Sequence, residues 1–220
     1  MNTPYDDLVA LIKPRPTTIS GLKYFPDLEP QVSNDQDFPP AGWMSQLEVT
    51  DCNLDVVRSV VSGMRKNNTL HAILEIGVNR NGERSMSRVL MEESPELCHY
   101  LGVDIEDKSY LDDPERLIYT VRCSSSDQYK VRDKLREMGV GIIDLLFIDG
   151  WHSVNMCVND WRYTDMLSDT GVVILHDTNS HPGCVALFDA VDEKQYDKQR
   201  FCLANDYGIA VFRKRTHADS

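Results

Sequence analysis

Two acids in this sequence each end a short apolar run, and each has a histidine close by. Asp149 ends "IIDLLFID" and is followed three residues later by His152, while Asp177 ends "GVVILHD" directly after His176. An unpaired carboxylate at the end of a buried strand costs roughly several kcal/mol, so each acid needs a partner. A cation between the two carboxylates removes their repulsion, and Mg²⁺ prefers such oxygen ligands and keeps waters that a substrate oxygen can replace.

The role of His152 has two interpretations. An imidazole titrates near neutral pH, so a histidine beside a bound substrate oxygen can act as a general base. The same histidine can instead cap the segment "SVNMCVNDW", a predicted helix whose Val154, Val158 and Trp161 fall on one face. The sequence predicts a site of cation-assisted proton abstraction and leaves the structural alternative open.

Two other predicted strands also end in residues that can face a ligand. "LEIGVNRNGERS" places Gly77 after a strand and a helix start near Ser85, so the backbone can pass close to a ligand. "HYLGVD" ends in Asp104, whose two oxygens suit a vicinal diol such as a ribose. The alternatives are a turn that merely needs glycine and a carboxylate that caps a helix.

The elements that position these residues alternate along the chain. Five short runs rich in Ile, Leu and Val are separated for the most part by helix-length segments, such as "SDQYKVRDKLREMG" with Gly139 as its stop. This order predicts an α/β, Rossmann-like doubly wound sheet of seven strands, mostly parallel and with helices on both faces. "RFCLAND" and "YGIAVFRK" predict an antiparallel C-terminal hairpin with a tight turn at 206–208. Ligands in such a sheet bind beyond the carboxyl ends of the strands, where the strand order reverses.

Proline content divides the chain. Seven of its ten prolines lie in the first 40 residues, which sustain no helix or strand period. The large apolar side chains there, Trp43 among them, favour an irregular arm or lid at 1–50 that packs on the domain, although a disordered tail is the alternative. We predict one domain at 51–215 and a tail at 216–220.

Net charge and apolar run length limit the classes of partner. The formal net charge is −12, so duplex nucleic acid is a poor candidate partner. The apolar runs are far shorter than the roughly 20 residues of a membrane span, and the acidic N-terminus is not a signal sequence. We expect a cytoplasmic protein with a small-molecule or sugar substrate; a homo-oligomer is left open.

The motifs "LEIG", "GVDIED", "DLLFIDGWHS" and "LSDTGVVILHDTNSHPG" together resemble the class I S-adenosylmethionine-dependent methyltransferases. The similarity is greatest to the branch of cephalosporin-hydroxylase-like and metal-dependent sugar O-methyltransferases, and it covers about residues 50–213. The chain departs from that branch at His176, where those enzymes often have Glu, and at "CSSSD", where "GDS" is common.

The resemblance implies a role for each matching residue. It implies that Asp149 and Asp177 bind Mg²⁺ or another divalent cation with His176 beside them, and that His152 is the general base. The residues that it implies for binding S-adenosylmethionine are Glu75, Gly77, Ser85, Asp104, Ile105, Ser125, Ser126, Asp127 and Asp149. Of these, Glu75 and Gly77 would lie against the methionine part, Asp104 would bind the ribose, and the segment 125–127 would line the adenine end.

The implied reaction is methyl transfer to a hydroxyl of a small molecule or sugar. Three alternatives keep the cofactor-binding fold: a non-catalytic scaffold domain, a nicotinamide-dependent oxidoreductase and a nucleic-acid methyltransferase. The oxidoreductase is disfavoured because the sequence has neither a Tyr-x-x-x-Lys dyad nor GxGxxG, and the nucleic-acid enzyme because the chain is acidic.

Overall fold

The computed structural model describes residues 19–24, 49–78, 85–179, 181–201 and 206–215. Trp43 and the tail at 216–220 lie outside these ranges, as does Gly82 of the segment "LEIGVNRNGERS". Within the described ranges, no helix combines the length and apolarity needed to cross a membrane.

Seven strands form one mixed sheet, as predicted. Their spatial order is β3-β2-β1-β4-β5-β7-β6; β1 to β5 are parallel, and β7 is antiparallel to both β5 and β6. The order reverses between β1 and β4, so the carboxyl ends of these two strands form the switch point at which open α/β sheets bind ligands. The strands are β1 (Ala72–Ile76), β2 (His99–Asp104), β3 (Ile118–Arg122), β4 (Ile143–Ile148), β5 (Leu167–His176), β6 (Tyr196–Phe201) and β7 (Ile209–Lys214).

Helices cover both faces of the sheet and give it two apolar cores. One core packs two helices against one face, and the other packs three against the opposite face. The first pair is α1 (Asp51–Lys66) and α2 (Met86–Glu93); the second set is α3 (Gln128–Glu137), α4 (Val154–Trp161) and α5 (Pro182–Ala190). Successive side chains of a strand therefore point to opposite cores, and only those that point to the same face can contact each other at the strand ends.

The C-terminal hairpin differs from the prediction in its first strand. β6 begins at Tyr196 and ends at Phe201, so the predicted strand starting at Arg200 was wrong in position, and the connection to β7 is longer than a tight turn. The reason is composition, because "YDKQRF" is an edge strand whose polar side chains carry little apolar alternation.

One piece of the N-terminal arm lies in the described part. Leu22 forms an antiparallel bridge with Val191, and the backbone oxygen of Ser20 accepts a hydrogen bond of 3.1 Å from the Trp161 indole N–H. These contacts fix residues 19–24 against the C-terminal ends of α4 and α5. The lid itself stays a prediction.

Candidate functional site

Gly77 joins the ends of β1 and β4 at the switch point. Its N–H donates to the Val103 oxygen at 2.9 Å, and the Asp149 N–H donates to the Ile76 oxygen at 2.8 Å. Gly77 has a φ of +82°, and a Cβ there would lie 2.1 Å from the backbone oxygen of Asp149. Glycine is therefore required by both the backbone angle and the space.

Asp104 ties the loop after β1 to the loop after β2. Its Oδ2 accepts from the Val78 N–H at 3.0 Å and its Oδ1 from the Glu106 N–H at 2.7 Å. A carboxylate has about four acceptor positions, and these two hydrogen bonds are the ones that it accepts among the described residues. Ile105 beside it is exposed. Both residues lie at the cleft rim, and their contacts with a cofactor stay predictions.

Glu75 is turned into the core between the sheet and α2. Ser87 donates to its Oε1 at 2.6 Å, and the Tyr100 hydroxyl donates to its Oε2. Burial raises the pKa of Glu75 to about 8, against the two hydrogen bonds, which lower it. The carboxyl has these two partners in the core, and its predicted position against the methionine part of a cofactor stays a prediction.

The raised pKa of Glu75 gives a testable pH dependence. The folded chain keeps this proton up to about pH 8, whereas the unfolded chain loses it above about pH 4.5, so the free energy of unfolding falls as pH rises through that window. Glu75→Gln cannot titrate, and we expect its stability relative to wild type to increase by about 2 to 3 kcal/mol between pH 5 and pH 7. Urea unfolding at both pH values measures this difference.

The control for that experiment is Glu92→Gln, which changes an exposed acid on the neighbouring helix. Its stability relative to wild type is expected to be nearly the same at both pH values. A difference for Glu75→Gln that does not grow with pH would contradict a protonated Glu75 in the folded chain.

The predicted adenine-binding segment follows β3, and Ser85 begins α2. The buried Ser125 has its backbone oxygen bound by the Tyr163 hydroxyl at 2.6 Å, which fixes the course of the loop. Asp127 caps α3 by accepting from the Lys130 N–H at 3.2 Å, and Ser85 caps α2 through the Arg88 N–H at 3.2 Å. Ser126 is exposed. These contacts explain the local structure, and cofactor contacts of these residues stay predictions.

Four of the predicted residues meet at the ends of β4 and β5. His176 Nδ1 lies 3.1 Å from Asp149 Oδ1 and 3.2 Å from Asp177 Oδ1. His152 Nε2 lies 2.8 Å from Asp177 Oδ2, without the alignment of a hydrogen bond, and 3.9 Å from Asp149 Oδ1. We call Asp149, His152, His176 and Asp177, with His181 described below, the His–Asp cluster.

The charges of the cluster are balanced through its imidazoles. Burial alone would lower the pKa of His152, but Asp149 and Asp177 outweigh it and raise this pKa to about 10. Burial also lowers the pKa of His176, but Asp177 and Asp149 raise it by more, so the net shift of this pKa is upward. The pKa of Asp177 is held below its usual range because the two histidines outweigh the effect of burial. Without a cation, protonated imidazoles therefore neutralise the carboxylates.

His181 is a member of the cluster that the sequence did not identify. It precedes α5, is buried, and its ring centroid lies 4.2 Å from that of His152 and 6.1 Å from that of Tyr207. It lies four positions after Asp177, which is not a spacing typical of a ligand motif. The only signal was a histidine before the proline that starts a helix.

Asp177 has an unusual backbone. Its φ is +61°, in the left-handed region that few residues other than glycine adopt. Asp tolerates this region better than most side chains, and such conformations concentrate at functional sites. The conformation turns the chain just after β5, where the Asp177 carboxylate meets both His176 and His152.

The donor set of the cluster fits a divalent cation. Asp149, His176 and Asp177 form one group whose ligand atoms lie within 4.8 Å of one another, and His152, Asp177 and His181 form a second. The Nε2 of His176 is buried and has no hydrogen-bond partner among the described residues. Carboxylates and imidazoles together suit metals that accept both oxygen and nitrogen, but Mg²⁺ prefers oxygen alone.

Comparison with known proteins gives matches in structure only. No protein-family model and no curated protein matches the chain. The MycE methyltransferase of the mycinamycin biosynthetic pathway, solved with Mg, SAH (S-adenosylhomocysteine) and mycinamycin VI, is 14% identical with a TM-score of 0.53; the match covers 74% of this chain and 50% of MycE. This chain thus spans about half the length of MycE.

Two solved structures match over most of their own length. The O-methyltransferase TomG from Streptomyces achromogenes, in complex with SAM, is 14% identical with a TM-score of 0.53 over 76% of this chain and 82% of TomG. An O-methyltransferase from Bacillus cereus, in complex with SAH, is 13% identical with a TM-score of 0.52 over 78% and 84%. The chain has the Rossmann-like fold of these methyltransferases, as the sequence predicted.

Proposed function

We propose that this chain, which has a methyltransferase fold, is an S-adenosylmethionine-dependent O-methyltransferase that acts on a hydroxyl of a small molecule or sugar. The observation that carries the proposal is the position of Asp149. Its backbone lies against Gly77 at the switch point, while its side chain belongs to the His–Asp cluster. A cofactor in the cleft and an acceptor at the cluster would therefore be neighbours.

The cleft residues fit the proposed cofactor. The methionine part would lie at the switch point beside Gly77, and the carboxylate of Asp104 at the end of β2 suits the two ribose hydroxyls. When bound, S-adenosylmethionine supplies a methyl group whose C–S bond breaks as the C–O bond forms, which leaves a neutral thioether. The chain has to orient the acceptor and remove its proton.

His152 is the proposed general base, and it acts at Nε2. This atom is buried and faces Asp177 Oδ2 at 2.8 Å, so an acceptor hydroxyl would have to enter the cluster beside Asp177 to give it a proton. A divalent cation held by Asp149, His176 and Asp177 would lower the pKa of an acceptor hydroxyl and would cancel the charges that keep His152 protonated. Trp151, which is 43% exposed beside the base, offers a stacking face for a ring or sugar.

The alternative function is a non-catalytic cofactor-binding domain. It predicts cofactor binding without a response to metal and gives no role to the buried charges of the cluster. The chain's small-molecule substrate is proposed because the solved MycE structure holds mycinamycin VI. The net charge of −12 supports the same class of substrate over nucleic acid.

The cofactor assignment is tested at Asp104. We expect Asp104→Ala to weaken S-adenosylmethionine binding by about 10- to 100-fold, because a hydrogen bond to a charged group contributes about 1.5 to 3 kcal/mol. Isothermal titration calorimetry of wild type and variant measures the change. Asp107→Ala is the matched control. Asp107 lies three residues after Asp104 in the same loop, and its carboxylate also accepts a backbone N–H, that of Ser109, at 3.0 Å. Equal affinity for all three proteins would remove Asp104 from the site.

A further inference from the structure

We propose that the cation of the His–Asp cluster is a first-row transition-metal ion with imidazole ligands, and not Mg²⁺. This inference rests on the proposed function for the presence of a cation at the cluster and concerns the identity of that cation. It follows from which atoms surround Asp177.

Each group of three possible ligands includes imidazole. Asp177 is shared: its Oδ1 faces His176 Nδ1 at 3.2 Å, and its Oδ2 faces His152 Nε2 at 2.8 Å. The first group, with Asp149, supplies one nitrogen, and the second, with His181, supplies two. An ion bound by either group of described side chains therefore has at least one nitrogen ligand.

The distances within the cluster fit a common ion. Adjacent ligands at ~2.1 Å from one metal lie ~3.0 Å apart in octahedral and ~3.4 Å apart in tetrahedral geometry. The contacts of His176 Nδ1 with Asp149 Oδ1 and Asp177 Oδ1 are 3.1 and 3.2 Å. The first of these contacts is a hydrogen bond, so His176 Nδ1 has to give up its proton when the ion binds.

The ligand types select the metal. Imidazole suits Fe²⁺, Co²⁺, Ni²⁺ and Zn²⁺, whereas Mg²⁺ takes carboxylate, carbonyl and water oxygens. The side chain of His176 is only 4% exposed, so water cannot readily replace it as a ligand. A Mg²⁺ ion here would use only the carboxylate oxygens of Asp149 and Asp177 and leave the buried imidazole of His176 unused, whereas Co²⁺ or Zn²⁺ would find its preferred ligands in all three.

The experiment titrates CoCl₂ and MgCl₂ separately into the full chain by calorimetry, and records the visible absorption of bound Co²⁺. We expect Co²⁺ to bind about 100-fold more tightly than Mg²⁺, with absorption bands of nitrogen-ligated Co²⁺. His176→Glu replaces the imidazole with a carboxylate and is expected to reduce this ratio by about 10-fold or more. His71→Ala, an exposed histidine at the opposite end of β1, should leave the ratio unchanged.

The wild-type ratio decides the proposal, whether or not the variant folds. Mg²⁺ binding as tightly as Co²⁺, or no binding of either ion, would overturn it. An S-adenosylmethionine titration of the same protein separates the two proposals. If the cofactor binds and the two ions bind equally well, the proposed methyltransferase function stands and the inference about the cation is wrong. If Co²⁺ binds tightly and the cofactor does not bind, the inference about the cation stands and the proposed function is wrong.

Discussion

Replacing His152 with alanine is expected to lower kcat for methyl transfer by about 10²- to 10⁴-fold, the usual contribution of a general base. Its Nε2 is buried and is the nitrogen closest to Asp177, so an acceptor oxygen has to reach it beside that carboxylate. S-adenosylmethionine affinity should be retained, because His152 contacts the cluster and not the Gly77 turn. The measurement is S-adenosylhomocysteine formation with an acceptor found by screening hydroxylated small molecules.

The control must separate catalysis from folding. His152 is paired with a buried carboxylate, so thermal unfolding of His152→Ala and His152→Gln has to accompany the kinetics. His71→Ala, which changes a histidine far from the cluster, should keep wild-type turnover. If a folded His152→Ala protein turns over like wild type, His152 only positions the following helix, which is the structural alternative that the sequence left open.

Gly77→Ala is expected to produce the largest loss of stability among the glycine substitutions considered. A side chain at positive φ costs roughly 1–2 kcal/mol, and the added Cβ would lie 2.1 Å from the Asp149 oxygen, so the ends of β1 and β4 must separate. We expect a total loss of about 4 kcal/mol, a fall of roughly 10 °C in Tm, and loss of S-adenosylmethionine binding.

Gly139 provides the matched comparison. It also has a positive φ, +79°, but a Cβ there meets nothing within 4 Å. Gly139→Ala should therefore lose only about 1 kcal/mol, or roughly 3 °C in Tm, and should bind the cofactor normally. The difference between the two variants isolates the close approach of the strand ends. Equal Tm values would mean that the switch point can open without loss.

The sequence was sufficient to predict the meeting of Asp149, His152, His176 and Asp177. The carboxyl ends of neighbouring parallel strands share one edge of the sheet, so residues that end the fourth and fifth apolar runs must be close once the runs are recognised as strands. Gly77 was predictable for the same reason. The apolar runs that mark the strands are a local signal, and the placement of these five residues at strand ends follows from that signal alone.

Other features depend on contacts between distant segments. His181 reaches the cluster because the start of α5 packs beside the start of α4 and places the capping residue His181 against His152, which no local pattern encodes. The hydrogen bonds of the Glu75 carboxyl with Ser87 and Tyr100, one from α2 and one from β2, were likewise not predictable, and its cofactor contact stays a prediction. The start of β6 was misplaced because a polar edge strand has no apolar alternation to mark it.

The most direct test of the central claim is a crystal structure of the chain grown with S-adenosylhomocysteine. We expect the ligand to lie between Gly77 and Asp104, with its ribose at Asp104 and its sulfur facing the side of Asp149 that leads to His152. Ligand bound anywhere else, or crystals that remain free of ligand at saturating concentration, would contradict a methyltransferase site at the switch point.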